Sequence, residues 1–161
     1  MTNNDDLAPM RLAIEASRAA LAAGDMPFGA ALVAPDGRVL LVSANRQSSG
    51  ADCTAHAETV LVRDAQAQLG LDALRGATVY ASGEPCAMCS GAMFWAGVGR
   101  VVFAASQAQI ASALGGPLLP LSCSAVLSAA QPAVAVAGGV LADEALQVLL
   151  LAGRATGAAA T

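Results

Sequence analysis

The sequence predicts a single α/β layered domain, and three observations carry that prediction. The chain has 161 residues, 56% of them hydrophobic and only 12% charged, and its apolar periodicity switches repeatedly between that of a helix and that of a strand. Such a length suits one core, and such a composition folds rather than staying disordered. The domain is expected to span 1–161. The acidic start, 1–6, and the Gly/Ala/Thr end, 155–161, read as loose tails.

Each element has its own signal. Leu7, Met10, Ile14 and Leu21 fall on one stripe of a helix over 7–23. Residues 25–45, DMPFGAALVAPDGRVLLVSAN, predict two short strands joined by a turn at Pro35-Asp36-Gly37. A helix over 55–69 closes at Gly70, where a residue free to take positive φ is favoured. ATVYAS (77–82) alternates as a strand. Pro85 opens a further helix through about Ala96, because proline suits a first helical position. RVVFAA (100–105) is another strand. Beyond it QAQIASAL predicts a helix, GGPLLPL a loop, PAVAVAG a strand and LADEALQVLLL a last helix.

Composition narrows the function classes. No apolar run reaches the roughly 18 to 20 residues that a spanning helix needs, because Gln107 and Gln109 break one stretch and Asp143 and Glu144 another. The start has no basic segment of the kind that precedes a signal sequence, so a cytoplasmic protein without a membrane partner is expected. Net charge is −4, with eight arginines scattered singly and no lysine. A nucleic-acid partner is disfavoured, since proteins that grip a phosphate backbone gather positive charge on one face.

Four cysteines stand at 53, 86, 89 and 123. Cys86 and Cys89 form a C-x-x-C pair, which in a chain without an export signal reads as metal or redox chemistry before a disulfide. Three residues apart on a helix, they project toward one point. In its first turn the helix dipole favours the thiolate that binds zinc. His56, the chain's one histidine, supplies a third donor. Three protein ligands leave a position for water, whereas a structural zinc site is closed by four. Glu58, two residues past the histidine, is then free for general acid–base work. Against this stand a redox pair, which explains neither His56 nor Glu58, and a closed zinc knuckle. The knuckle would need Cys53, Cys123 or a carboxylate as fourth ligand; Cys53 reads more naturally as a small apolar residue.

These residues, with PFGA (27–30), Asn45 in AN (44–45), TAHAE (54–58) and EPCAMCSGAMFWA (84–96), give the chain a resemblance to the cytidine deaminase superfamily. Its guanine deaminase branch is the nearest part. The resemblance covers about Pro27 to Ala105. It implies a three-layer α/β/α sandwich on a mixed, mostly five-stranded sheet. It implies zinc on His56, Cys86 and Cys89, with Glu58 as proton shuttle. Asn45, the Ala57 amide, Phe28 and Trp95 fall on substrate contacts, and the Cys86 amide lies near the reacting oxygen. The implied activity is hydrolytic removal of an exocyclic amine from a heterocyclic base, guanine or a relative leading, in purine metabolism. Cytosine, a nucleoside or a tRNA adenosine are the alternatives within the class, and a zinc-bound interaction module without turnover is the alternative outside it. A homodimer that completes each pocket is also implied. Guanine binders often use a C-terminal acid, yet residues 105–142 contain none; Asp143, Glu144 or an acid from a partner subunit would have to serve. Taken singly, Asn45 could cap a strand end and Phe28 and Trp95 could be core. Met88 reads as packing, and Asp143-Glu144 as a solvated helix start.

Overall fold

The computed structural model describes residues 4–158. It contains helices α1 (Leu7–Ala22), α2 (Ala57–Leu69), α3 (Ala87–Trp95), α4 (Gln107–Leu114), α5 (Cys123–Leu127) and α6 (Ala142–Ala158). Its strands are β1 (Gly29–Val33), β2 (Val39–Ala44), β3 (Thr78–Gly83), β4 (Arg100–Ala105) and β5 (Ala135–Gly138). They form one mixed sheet in the order β2-β1-β3-β4-β5. β1 runs antiparallel to β2 and β3, while β3, β4 and β5 are parallel.

Alternation along the strands feeds two cores, because successive side chains leave a strand on opposite faces. Ala30, Leu32, Val79 and Val101 pack toward α2, α3 and α5. Ala31, Val33, Tyr80, Val102 and Ala104 pack toward α1 and α6. This is the predicted three-layer sandwich. β1 is buried on both faces, which explains its uninterrupted apolar run. Gly29 begins it for a steric reason. A Cβ there would collide with the Ala13 carbonyl oxygen and stand 2.6 Å from the Ser17 nitrogen, so only glycine lets α1 lie this close to the sheet.

The hairpin closes where predicted, with Gly37 at φ 88° and its N–H on the Ala34 carbonyl at 2.9 Å. Gly70, at φ 84°, ends α2. Two readings are corrected. The start is not loose through Asp6: Asn4–Asp6 form a 3-10 turn, and residues 1–3 lie outside the described residues. The end is helical through Ala158, because Val148, Leu149 and Ala152 bury one face of α6; residues 159–161 lie outside the described ones. The stretch after GGPLLPL, unassigned above, contains α5, a five-residue helix too short for periodicity to reveal, capped by Ser122 accepting from the Ala125 N–H at 3.1 Å.

Asp6 shows why the start is ordered. It is 1% exposed, and its carboxylate accepts two bonds from Arg100 at 2.7 and 2.8 Å and one from the Tyr80 hydroxyl at 2.7 Å. A buried carboxylate is tolerated only when paired in this way. The knot ties the head of α1 to β3 and β4. Burial, then the Asp6 carboxylate, pushes the Tyr80 phenol up to about 12. The folded protein therefore keeps a proton that the unfolded chain releases at about 10. This contribution to stability is complete below pH ~10 and fades as pH rises through ~12. Tyr80 is the chain's one tyrosine, so phenolate absorbance reads it directly. The midpoint is expected near 12 in the native protein and near 10 in denaturant; coincident midpoints would contradict the buried knot.

Candidate active site

Two helix starts face each other at one end of the sheet. β3 ends at Gly83, and the Glu84 N–H still bonds to Ala105 at the end of β4, at 2.7 Å. Pro85 then ends the ladder, since it has no N–H to give. Cys86, extended at φ −70° and ψ 173°, becomes the N-cap of α3, so the helix begins two residues later than Pro85 suggested. His56 stands in the same way before α2, at φ −62° and ψ 148°. Neither side chain caps its own helix; both turn toward the space between.

There the Cys86 sulfur lies 3.6 Å from His56 Nδ1. The donor atoms of His56, Cys86 and Cys89 all fall within 4.8 Å of one another. Tetrahedral zinc, with Zn–S about 2.3 Å and Zn–N about 2.0 to 2.1 Å, separates sulfur and nitrogen by about 3.5 Å. Two sulfurs and an imidazole nitrogen at this spacing fit zinc. Among the described residues no fourth His, Cys, Asp or Glu joins the group. Cys53 is exposed and Cys123 is buried outside it, so the closed-knuckle reading finds no ligand.

The electrostatics follow from proximity. The hydrogen bond from Cys89, then that from His56, holds the Cys86 thiol down to about 4. Cys89 is raised, as the donor of that bond and by burial. The bond with Cys86 raises His56 against the opposing effect of burial. A bound dication reverses the Cys89 direction, because a coordinating thiol is deprotonated outright. Burial pushes the Glu58 carboxyl up to about 7. Glu58 is 7% exposed and interacts with Cys86, His56 and Cys89, so it faces the site without being one of the three ligands. Thr59 Oγ1 lies 3.3 Å from the Cys89 sulfur, a partner that orients a ligand from behind. The first amides of α2, Ala57 among them, have no carbonyl within the helix to bond and give the site polar N–H groups.

Phe28 and Asn45 come to the same sheet end. The Asn45 N–H bonds to the Phe28 carbonyl at 3.0 Å. A Cβ on Gly83 would stand 2.9 Å from Phe28 Cε1, so glycine at the end of β3 makes room for the ring. Trp95 lies at the far end of the same helix as Cys89. It closes α3, nine residues past Cys86, or about 13 Å along the axis at 1.5 Å per residue. It is 82% exposed. Asp143 and Glu144 open α6, in the layer opposite α2 and α3, and Glu144 pairs with Arg11 at 3.3 Å.

Sequence reasoning passed over the supports. Glu84 accepts from the Gln107 N–H at 2.9 Å and the Cys123 N–H at 3.1 Å, holding the starts of α4 and α5 beside the Cys86 loop. Asp25, 7% exposed, accepts from the Ser48 and Ser49 amides at 2.8 and 2.9 Å and from the Ser49 hydroxyl at 2.7 Å. The amide of Ser49, then its hydroxyl, holds the carboxyl below the usual range. Their one sequence signal was an acid beside a site motif, too common to single out.

Comparison with known proteins agrees with this geometry. Residues 3–105 match the family model of the cytidine and deoxycytidylate deaminase zinc-binding region. A probable cytosine deaminase of Schizosaccharomyces pombe is 38% identical over 152 residues, 88% of this chain and 88% of that protein. A tRNA-specific adenosine deaminase of Agrobacterium fabrum is 42% identical over 98 residues, 61% of this chain and 64% of that one. The solved guanine deaminase from Nitrosomonas europaea superposes with a TM-score of 0.79 at 27% identity, covering 96% of this chain and 86% of its own. The chain belongs to the cytidine and deoxycytidylate deaminase zinc-binding family, and its likeness extends to the guanine deaminase branch.

Proposed function

We propose that the protein hydrolyses the exocyclic amine of a free heterocyclic base, guanine or a close relative first. The observation that carries the reading is Glu58, buried against a three-donor cluster that fits zinc. When bound there, zinc supplies Lewis-acid activation of water near neutral pH. His56, Cys86 and Cys89 hold the metal. Glu58 takes a proton from the attacking water and gives it to the ring nitrogen beside the amine-bearing carbon. It then carries a second proton to the amine, which leaves as ammonia, so amine and water become carbonyl and ammonia. Asn45 and the Ala57 amide hold the ring edge, and Phe28 offers it a stacking face.

Cytosine is the second reading, supported by a relative that matches 88% of the chain. It is supported too by the placement of Glu144 on Arg11, in the layer opposite α2 and α3, which leaves a guanine amino group without that acid. Ammonia release over guanine, cytosine, adenine, nucleosides, pterins and aminotriazines decides the order. Guanine or an analogue is expected to turn over fastest. Glu58→Ala should lower turnover at least a thousandfold with zinc retained, and Cys89→Ala should lose metal by elemental analysis. Full activity in Glu58→Ala would falsify the assignment. Editing of a tRNA anticodon stem would move the protein to the adenosine class, and silence on every base with zinc present would favour the interaction module.

The working unit in this reading is a homodimer. Met88, Gly91, Ala92 and Trp95 share one face of α3 at helical spacing. Beside it lies an apolar groove of about 230 Å³ lined by Gly91, Phe94, Val126 and Leu127. A second copy would cover Trp95, and a twofold axis through small residues brings two such faces together. Sedimentation is expected to show a dimer in the wild type and a shift to monomer in Trp95→Arg. A wild-type monomer with full activity would contradict it.

A further inference from the structure

We infer that Gln47 is a positioning residue that sets which way the Asn45 carboxamide faces and thereby which ring edge the pocket accepts. The inference rests on the reading of Asn45 as a substrate contact.

A carboxamide has nearly the same shape at its two ends, so its direction must be imposed by neighbours of fixed polarity. Asn45 is 1% exposed, and both its ends meet the same residue. The Gln47 N–H donates to Asn45 Oδ1 at 3.0 Å, and Asn45 Nδ2 donates to Gln47 Oε1 at 2.7 Å. The Gln47 side chain is anchored in turn, its Nε2 donating to the Cys53 carbonyl at 3.3 Å. A backbone N–H only donates and a backbone carbonyl only accepts. Between those two ends both carboxamides have one self-consistent direction, and reversing either breaks contacts at once.

The Gln47 backbone is itself held. Its carbonyl accepts from the Asp52 N–H at 3.1 Å, and the Arg46 N–H before it bonds to Ala55 at 3.0 Å. Asp25 grips the two following amides, Ser48 and Ser49, at 2.8 and 2.9 Å. What remains to Asn45 is one Nδ2 hydrogen and one Oδ1 lone pair. A ring edge that presents an acceptor to the first is accepted. An edge of reversed polarity meets donor against donor, the mismatch that buried sites reject most strongly.

The test measures kcat/KM for the preferred base and for its deaza analogue, in which a ring acceptor becomes C–H. Gln47→Met keeps length and removes both side-chain bonds. It is expected to lower kcat/KM on the parent base about tenfold, the worth of one neutral hydrogen bond. The loss on the deaza analogue should be under threefold, so that discrimination narrows with zinc content and melting temperature unchanged. Gln47→Glu keeps the acceptor for Nδ2 and should fall between wild type and Gln47→Met; it also serves if the methionine variant does not fold. Equal losses on both compounds, or none, overturn the inference. Asn45→Ala separates the two claims. If it leaves both activities unaltered, the substrate contact itself is wrong. If it narrows discrimination while the Gln47 variants do not, only the role of Gln47 is.

Discussion

Two helix N-termini, α2 at His56 and α3 at Cys86, aim at one small volume, and much of the architecture serves to hold them there. Each start concentrates unpaired amides and partial positive charge. The Cys86 thiolate is favoured there, while burial still raises the Glu58 carboxyl. The sheet provides the register. Parallel β3 and β4 end together, at Gly83 and Ala105, and the chain after β3 turns directly into the ligand loop.

Around this point the supports act from different elements. Glu84 joins the starts of α4 and α5 to the strand end. Asp25 joins the loop before β1 to the one after β2. Gly29 and Gly83 give up side chains so that α1 and the Phe28 ring can approach. At the opposite side of the molecule the Asp6, Tyr80 and Arg100 knot secures the first helix. Rigid surroundings matter for this chemistry, since a proton shuttle misplaced by about 1 Å can cost a hundredfold in rate.

Much of this was legible in the residues, and the exceptions have physical reasons. Period-2 burial and the glycines at 37 and 70 marked strands and ends because they depend on local sterics. The three-donor cluster was legible because metal chemistry restricts residue type and spacing together. The exposure of Trp95 was not legible, because a motif gives proximity in sequence while the 1.5 Å rise of α3 sets the ring at its far end. Asp6 looked like tail because nothing in an acidic N-terminal run reveals a partner ninety-four residues on. Gln47 and Asp25 were invisible for the same reason: their meaning lies in partners that only the fold supplies.

The central claim is a three-donor metal centre with a position left for solvent, and X-ray absorption on the zinc-loaded protein addresses it most directly. The account predicts a first shell of two sulfurs at about 2.3 Å and two lighter atoms, one imidazole nitrogen and one exchangeable oxygen, at about 2.0 to 2.1 Å. A shell of three sulfurs, or one filled by four protein atoms with no exchangeable oxygen, would contradict it.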